Sequence, residues 1–199
     1  MTMSAVEIQI AGFGGQGIVL AGMTIGRGLV ICENSHVSLT QSFGPEARGS
    51  ACSVQLMVSR EPVLYPYLSK PDILVTMSQD AFRKFSPGLK EGGTLVMEED
   101  LVRPAMPLEE LESHYRLFRV PATRLAEELG RKMVMNIVLV GFFVAVTGLM
   151  RPESARQAIT ESVPPGTEGL NLAAFEKGYA YGLAQVGGKP VEALALQAK

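Results

Sequence analysis

The sequence predicts an α/β fold: a three-layer sandwich with a mainly parallel sheet and helices on both faces. Three observations carry that expectation. Short β-branched apolar runs recur along the chain, separated by stretches of helical length, the alternation that marks a parallel sheet covered on both sides. The first run ends at once in glycines that open onto a long apolar stretch, a strand–turn–helix unit. The chain is also globular in composition, with 199 residues of which 47% are hydrophobic and 19% charged. A chain of that length buries roughly 70% of the surface its unfolded form exposes, so a core forms without disulfides or metal.

The elements follow in order. Val6 to Ala11 (VEIQIA) is the first strand, and Gly12-Phe-Gly14-Gly15-Gln-Gly17 leads into a helix over Ile18 to Ile31. His36 to Gln41 is the second strand, and Ser42 to Gly49, with two glycines and a proline, is a loop. Ser50 to Ser59 partly alternates and reads as a third strand. Ile73 to Met77 is the fourth, after which Ser78 caps a helix through Phe85 with Asp80 in its first turn. Pro87 to Gly93 is a turn, Thr94 to Met97 a fifth strand and Tyr115 to Val120 a sixth. Helical patterns dominate the remainder: Ala122 to Leu129 stopped by Gly130, Asn136 to Leu149, Pro152 to Ser162 with proline in the first turn, and Leu172 to Gln185 starting from Asn171. This order describes a Rossmann-like domain. Residues 1–188 form it, and residues 189–199 form a C-terminal tail.

Composition excludes much. The formal charge is −2, and residues 1–100 carry 7 basic and 10 acidic side chains against 11 and 10 in residues 101–199. No basic stripe exists for a polyanion, so nucleic acid is not an expected partner. With 2 Cys and 2 His, the chain alone holds too few ligands for an iron–sulfur cluster. Cys32, His36, Cys52 and His114 show no paired metal-ligand spacing, so no metal site is expected. The N-terminus has no basic region followed by an apolar signal stretch, which points to the cytoplasm. Met133 to Met150 carries no charge and borders on membrane-spanning length. Its Asn136, Gly141, Thr147 and Gly148 favour a helix buried in the core instead.

Gly12, Gly14 and Gly17 match GxGxxG. Such glycines allow a tight turn and let backbone N–H groups approach an anion at a helix N-terminus. A dinucleotide site also needs an acidic residue at the end of the second strand, to hold the ribose hydroxyls. That strand ends in Gln41 and Ser42, and Glu33 lies before it. The phosphate half of the fingerprint is present and the ribose half is missing. A phosphate-bearing ligand and a turn required only for packing both remain open. In the second loop Glu46 and Arg48 are the only charges, and they serve either as an ion pair shaping the loop or as a contact to ligand or partner.

The strand ending in GFGGQGIVLAG, followed by TQSFGPEARG after the second strand, resembles the gamma subunit of 2-oxoacid:ferredoxin oxidoreductases. The likeness is to the 2-oxoglutarate or branched-chain oxoacid type, with Phe43 in place of the usual tyrosine and Ser50 in place of a second glycine. It extends over PDILVTMSQDAF, GGTLVM and MNIVLVGFFVAVTG, roughly residues 6–150. The resemblance implies a complex that converts a 2-oxoacid, coenzyme A and oxidised ferredoxin to acyl-CoA, carbon dioxide and reduced ferredoxin. It implies that thiamine diphosphate with magnesium, and the iron–sulfur clusters, sit on partner chains: alpha and beta subunits that bind thiamine and a ferredoxin-like delta subunit. The gamma domain would close over coenzyme A, its glycine loop near the nucleotide end. By motif, the coenzyme A residues are Gly12, Gly14, Gly15, Gln16 and Gly17, with Ser42 and Asn136. Gly44, Pro45, Glu46, Arg48 and Gly49 would shape the second loop or an interface. No catalytic residue is assigned to this chain. Two other readings stay open: a purely structural assembly subunit, and a free NAD-dependent dehydrogenase.

Overall fold

A computed structural model describes residues 5–44 and 51–187 of the chain. Six strands form one sheet: β1 (Val6–Phe13), β2 (His36–Phe43), β3 (Ala51–Ser59), β4 (Ile73–Thr76), β5 (Thr94–Glu98) and β6 (Arg116–Val120), in the order β2-β3-β1-β4-β5-β6. β1, β4, β5 and β6 pair in parallel. β3 pairs antiparallel with both β1 and β2, so β2 points the same way as β1. Five strands share one direction and β3 alone opposes them, in keeping with the mainly parallel sheet the sequence predicts.

Seven α-helices accompany the sheet: α1 (Ile18–Ile31), α2 (Gln79–Phe85), α3 (Leu108–His114), α4 (Ala122–Glu127), α5 (Met135–Thr147), α6 (Pro152–Ser162) and α7 (Glu168–Gln185). Successive side chains of a strand face opposite sides of the sheet, and two separate apolar cores result. Ile8, Ile10, Val54, Leu56, Ile73, Val75 and Val96 pack on one face with α1, α4, α5 and α7. Leu74, Leu95 and Met97 pack on the other with Phe82 of α2 and Leu111 of α3. The expected three layers are therefore present.

Several boundaries differ from expectation. β1 continues through Gly12 to Phe13, and β2 takes in Ser42 and Phe43, which the sequence placed in a loop. Both extensions pair with β3, Gly12 and Phe43 lying either side of Cys52. α3 was not expected. Only Leu111 of it is buried, so it shows no apolar stripe, although Pro107 and two acidic first-turn residues announce it. α7 starts four residues before Leu172. Thr167 is its N-cap, and Asn171 lies inside the first turn with Nδ2 donating to the Thr167 carbonyl. Ser78 caps α2 as expected, its Oγ accepting from the Ala81 N–H at 3.2 Å. Residues 45–50 and the 189–199 tail lie outside the described residues.

All thirteen residues of α5 are buried. The charge-free segment is thus a core helix, and no helix among the described residues is long and apolar enough to cross a membrane. α5 and α7 meet at backbone contact. A Cβ on Gly141 would run into the Phe175 carbonyl and lie 2.8 Å from the Tyr179 nitrogen, and one on Gly178 would run into the Val138 carbonyl. Neither obstacle is a side chain that can turn aside. Gly178→Ala should therefore push the helices apart, lowering stability by about 2–3 kcal/mol and the melting temperature by about 4–12 °C. Gly169→Ala, also in α7 but with nothing within 4 Å of its added carbon, should leave the melt unchanged or raise it. Thermal denaturation of the two variants checks both.

Candidate functional site

The C-terminal ends of the five co-directional strands lie along one edge of the sheet. From that edge α1 leaves β1 over one face, and α2 leaves β4 over the other. The crossovers diverge between β1 and β4, the place where open α/β sheets form a ligand crevice. Here the crevice is filled by Gln16. The Phe13 N–H donates to Gln16 Oε1 at 2.7 Å, and Gln16 Nε2 donates to the Met77 carbonyl at 2.8 Å. A Cβ on Gly12 would collide with that same amide. Gln16 is buried and turned inward, tying the glycine turn to the end of β4.

The rest of the turn faces outward. Gly14 and Gly15 are exposed. Gly15 and Gly17 have φ values of 95° and 71°, the left-handed region that a side chain resists. Gly17 is the N-cap of α1, without a side-chain cap, and the first turn of α1 holds no acidic residue. Its first N–H groups have no intrahelical acceptor, and its positive dipole end is not neutralised from within the helix.

A cleft of about 640 Å³ opens beside this turn. Gly15, Gly17 and Leu20 form one wall, Arg131, Met133 and Asn136 a second, and Val163, Thr167, Leu170 and Asn171 a third. Three helix starts meet there: those of α1, of α5 (N-cap Val134) and of α7 (N-cap Thr167). Asn136 is 3% exposed. Its amide nitrogen lies 2.7 Å from where a Gly17 Cβ would stand, so any side chain at position 17 would displace it. Among the described residues the Asn136 amide makes no hydrogen bond, and Arg131 on the rim makes no ion pair. Asn171 Nδ2 donates to the Thr167 carbonyl at 2.9 Å and to Thr167 Oγ1 at 3.2 Å.

The structure thus brings Gly15, Gly17 and Asn136 together and sets Gln16 and Gly12 behind them. Ser42 is elsewhere, in a small recess with Lys84 and Phe85. Gly44 closes the second loop's base, its N–H donating to the Ala51 carbonyl at 2.7 Å. Pro45, Glu46, Arg48 and Gly49 fall outside the described residues. Arg131, Thr167 and Asn171 were not named from the sequence as site residues. The signal that could have found two of them is the polar pair Thr167 and Asn171 beside the Pro164-Pro165-Gly166 turn; no local signal marks Arg131.

The geometry speaks against a dinucleotide. β3 stands between β1 and β2, which puts the end of β2 two strand spacings, about 10 Å, from the glycine turn. The crevice is filled by Gln16. Glu33 is committed elsewhere: its Oε1 accepts from the Arg151 N–H and Nε at 3.0 Å each and from Ser154 Oγ at 2.6 Å. The thiols offer no nucleophile pair, since burial pushes the Cys52 thiol above its ordinary range and Cys32 Sγ lies 3.5 Å from Gln157 Oε1. Among the described residues no three His, Cys, Asp or Glu side chains cluster as a metal site.

Comparison with known proteins agrees with this outline. The family model described as pyruvate ferredoxin/flavodoxin oxidoreductase matches residues 7–181. The 2-oxoglutarate synthase subunit KorC of Methanocaldococcus jannaschii is 45% identical over 175 residues, covering 87% of this chain and 91% of that one. The crystal structure of the gamma subunit of a keto/oxoacid ferredoxin oxidoreductase from Geobacter sulfurreducens superposes with a TM-score of 0.80 at 34% identity, covering 91% of this chain and 98% of that one. The 2-oxoglutarate:ferredoxin oxidoreductase of Magnetococcus marinus shares the fold, with a TM-score of 0.82 at 20% identity, over 97% of this chain and 33% of its own. The chain belongs to the pyruvate ferredoxin/flavodoxin oxidoreductase family.

Two predictions follow from the site's supports. Gln16→Ala leaves the Phe13 N–H and the Met77 carbonyl without their partner, and a buried polar group so stranded costs about 1–3 kcal/mol. The melting temperature should fall, while Gln16→Glu, which keeps one acceptor, should recover part of the loss. For Glu33, burial works to raise the carboxyl pKa, but the Ser154 and Arg151 hydrogen bonds and the Arg151 charge outweigh it and hold the group below its ordinary value. The unfolded chain then binds the proton more readily, so this contribution is present above the ordinary carboxylate pKa and is lost as pH falls through the lowered one. Glu33→Gln should flatten the acid limb of a stability-against-pH curve.

Proposed function

We propose that this chain, as the gamma subunit of a 2-oxoacid:ferredoxin oxidoreductase complex, contributes to coenzyme A binding and closes the active site around it. The observation that carries the reading is the cleft at the α1 N-terminus, whose wall the Asn136 amide reaches without a hydrogen-bond partner among the described residues. Its volume falls in the range of about 300–1,000 Å³ that small-molecule sites occupy. The uncapped helix start and Arg131 suit phosphate, and the Leu20, Met133 and Leu170 walls suit an apolar or aromatic group. In this reading Gly15, Gly17 and Asn136 touch the ligand at its nucleotide end, with Gly14 beside them, and Gly12 and Gln16 hold the turn in shape.

The complex joins the acyl group of a decarboxylated 2-oxoacid to coenzyme A and passes the electrons to ferredoxin. Thiamine diphosphate, magnesium and the iron–sulfur clusters belong, in this reading, to alpha, beta and ferredoxin-like delta partners, which fits a chain with two cysteines. This chain's residues would bind and orient the cosubstrate and exclude water; none carries an electron. Ser42 stands apart from the cleft and enters only if the ligand reaches over the sheet edge.

The test is the Michaelis constant of the assembled complex. A Gly15→Leu side chain has open space before it and projects from the turn beside the cleft, and Gly15→Ala, which carries the same backbone strain at φ 95° without the bulk, is its control. Gly15→Leu should raise the KM for coenzyme A at least tenfold while leaving that for the 2-oxoacid unchanged, and Asn136→Ala should do the same more mildly. A second reading, an assembly role only, draws on Gln16, whose two amide ends are spent on backbone. Under it, Gly15→Leu lowers the yield of complex and the KM for coenzyme A does not move.

A further inference from the structure

The two edges of the sheet are built differently. At β6 the strand carries Arg116 and Arg119, and α7 reaches over it so that Gln185 Nε2 donates to the Arg119 carbonyl. β2, at the other edge, runs for eight residues, His36–Phe43, with no lysine, arginine, acidic residue or proline. Its outer backbone groups have no strand partner among the described residues. Exposed edges of this length are normally blunted by charge, proline or a covering element, because they template pairing with another chain. Beside it lies a mainly apolar recess of about 520 Å³, lined by Met23, Val30 and Ile31 of α1 with Val37 and Leu39 of β2, and with the Arg27–Glu161 ion pair, 3.3 Å long, in its wall. Met23, Val30 and Ile31 are 52%, 45% and 54% exposed, on a helix whose other face is core.

These features define what would fit. The added segment must be a strand, to satisfy the backbone. Its side chains must alternate: apolar toward the α1 face, to fill the recess, and small and polar toward the other, where Ser38 and Thr40 lie and Thr40 Oγ1 donates to Gln55 Oε1. β2 itself approaches that pattern, with Val37, Leu39, Gln41 and Phe43 on one face and Ser38, Thr40 and Ser42 on the other. We propose that β2 pairs antiparallel with β2 of a second copy, about a two-fold axis perpendicular to the sheet. Such an axis keeps each face on its own side, so paired residue numbers sum to an even value. It therefore passes through position 39 or position 40, with Leu39 opposite Leu39 or Thr40 opposite Thr40. A strand without a permanent charge meets its own copy with no like charges opposed, and β6 with its two arginines does not. The product is one twelve-stranded sheet, with the exposed rows of the two α1 helices brought together over it.

The 199-residue chain should have a light-scattering mass twice its 21.4 kDa, and the native complex should contain an even number of copies by native mass spectrometry. Thr40→Lys should weaken the chain's dimer at least tenfold without changing its far-ultraviolet circular-dichroism spectrum, and Ile31→Lys, on the exposed row of α1, should weaken it by a smaller factor. Either Thr40→Cys or Leu39→Cys should form a cross-linked dimer on mild oxidation where the unsubstituted chain does not. A monomeric chain with a single copy per complex overturns the proposal, as does a dimer that both lysine variants leave intact. A monomeric chain whose Thr40→Lys variant no longer joins the complex also overturns it and gives the edge to a different subunit.

Discussion

Helix α5 is buried on every side, and that condition organises the molecule. A thirteen-residue helix with no polar face has to be enclosed by neighbours. The sheet supplies one wall and α1, α4, α6 and α7 the others. The approach of α7 is close enough that Gly141 and Gly178 cannot carry a side chain. Because α5 and α7 are locked at backbone contact and α1 packs on the same core, the three helix starts are held in one arrangement. The cleft is thus a by-product of how a wholly apolar helix is wrapped. Its single amide, Asn136, sits at the one end of that helix open to the cleft.

The glycine motif shows how letters and use can part. GxGxxG in a dinucleotide fold opens a crevice between two neighbouring strands for a pyrophosphate. Here the residue between the second and third glycines fills that crevice with its own amide. Gln16 bridges the ends of β1 and β4 as a ladder hydrogen bond would, and the exposed part of the turn serves a cleft on the α1 side. An antiparallel β3 between β1 and β2 removes the place for a ribose-binding acid. Both changes act on the same feature, and together they leave this turn without the crevice and the acid that a dinucleotide site needs.

Most of the element order was legible because its cues are local. Glycine turns, the Ser78 cap and the proline at the start of α6 act within a few residues, as do the apolar pattern of α1 and the unbroken apolar run of α5. The direction of β3 was not legible, since pairing with strands on both sides depends on distant partners. α3 escaped because it buries one residue. For the site, the glycine turn and Asn136 were visible as an unusual loop and an isolated amide in an apolar run. Gln16 was read as a ligand contact because its sequence shows an amide beside glycines, not where the amide points. Arg131 and Asn171 lie more than a hundred residues beyond the turn in the chain, so only the tertiary fold could bring them to it.

The place of β3 bears on how the chain is made. β2 and β3 are separated by seven residues in sequence and pair antiparallel along their length, so their contact is local. β1 has no such neighbour. Ile8 pairs with Leu56 and Ile10 with Val54, and their other flank waits for Ile73 and Val75. During synthesis the central strand therefore emerges first and stays unpaired until the two strands behind it have left the ribosome and turned back, and such late, long-range closure slows folding. Over that interval a strand that ends up paired on both flanks is the one most open to capture by another chain.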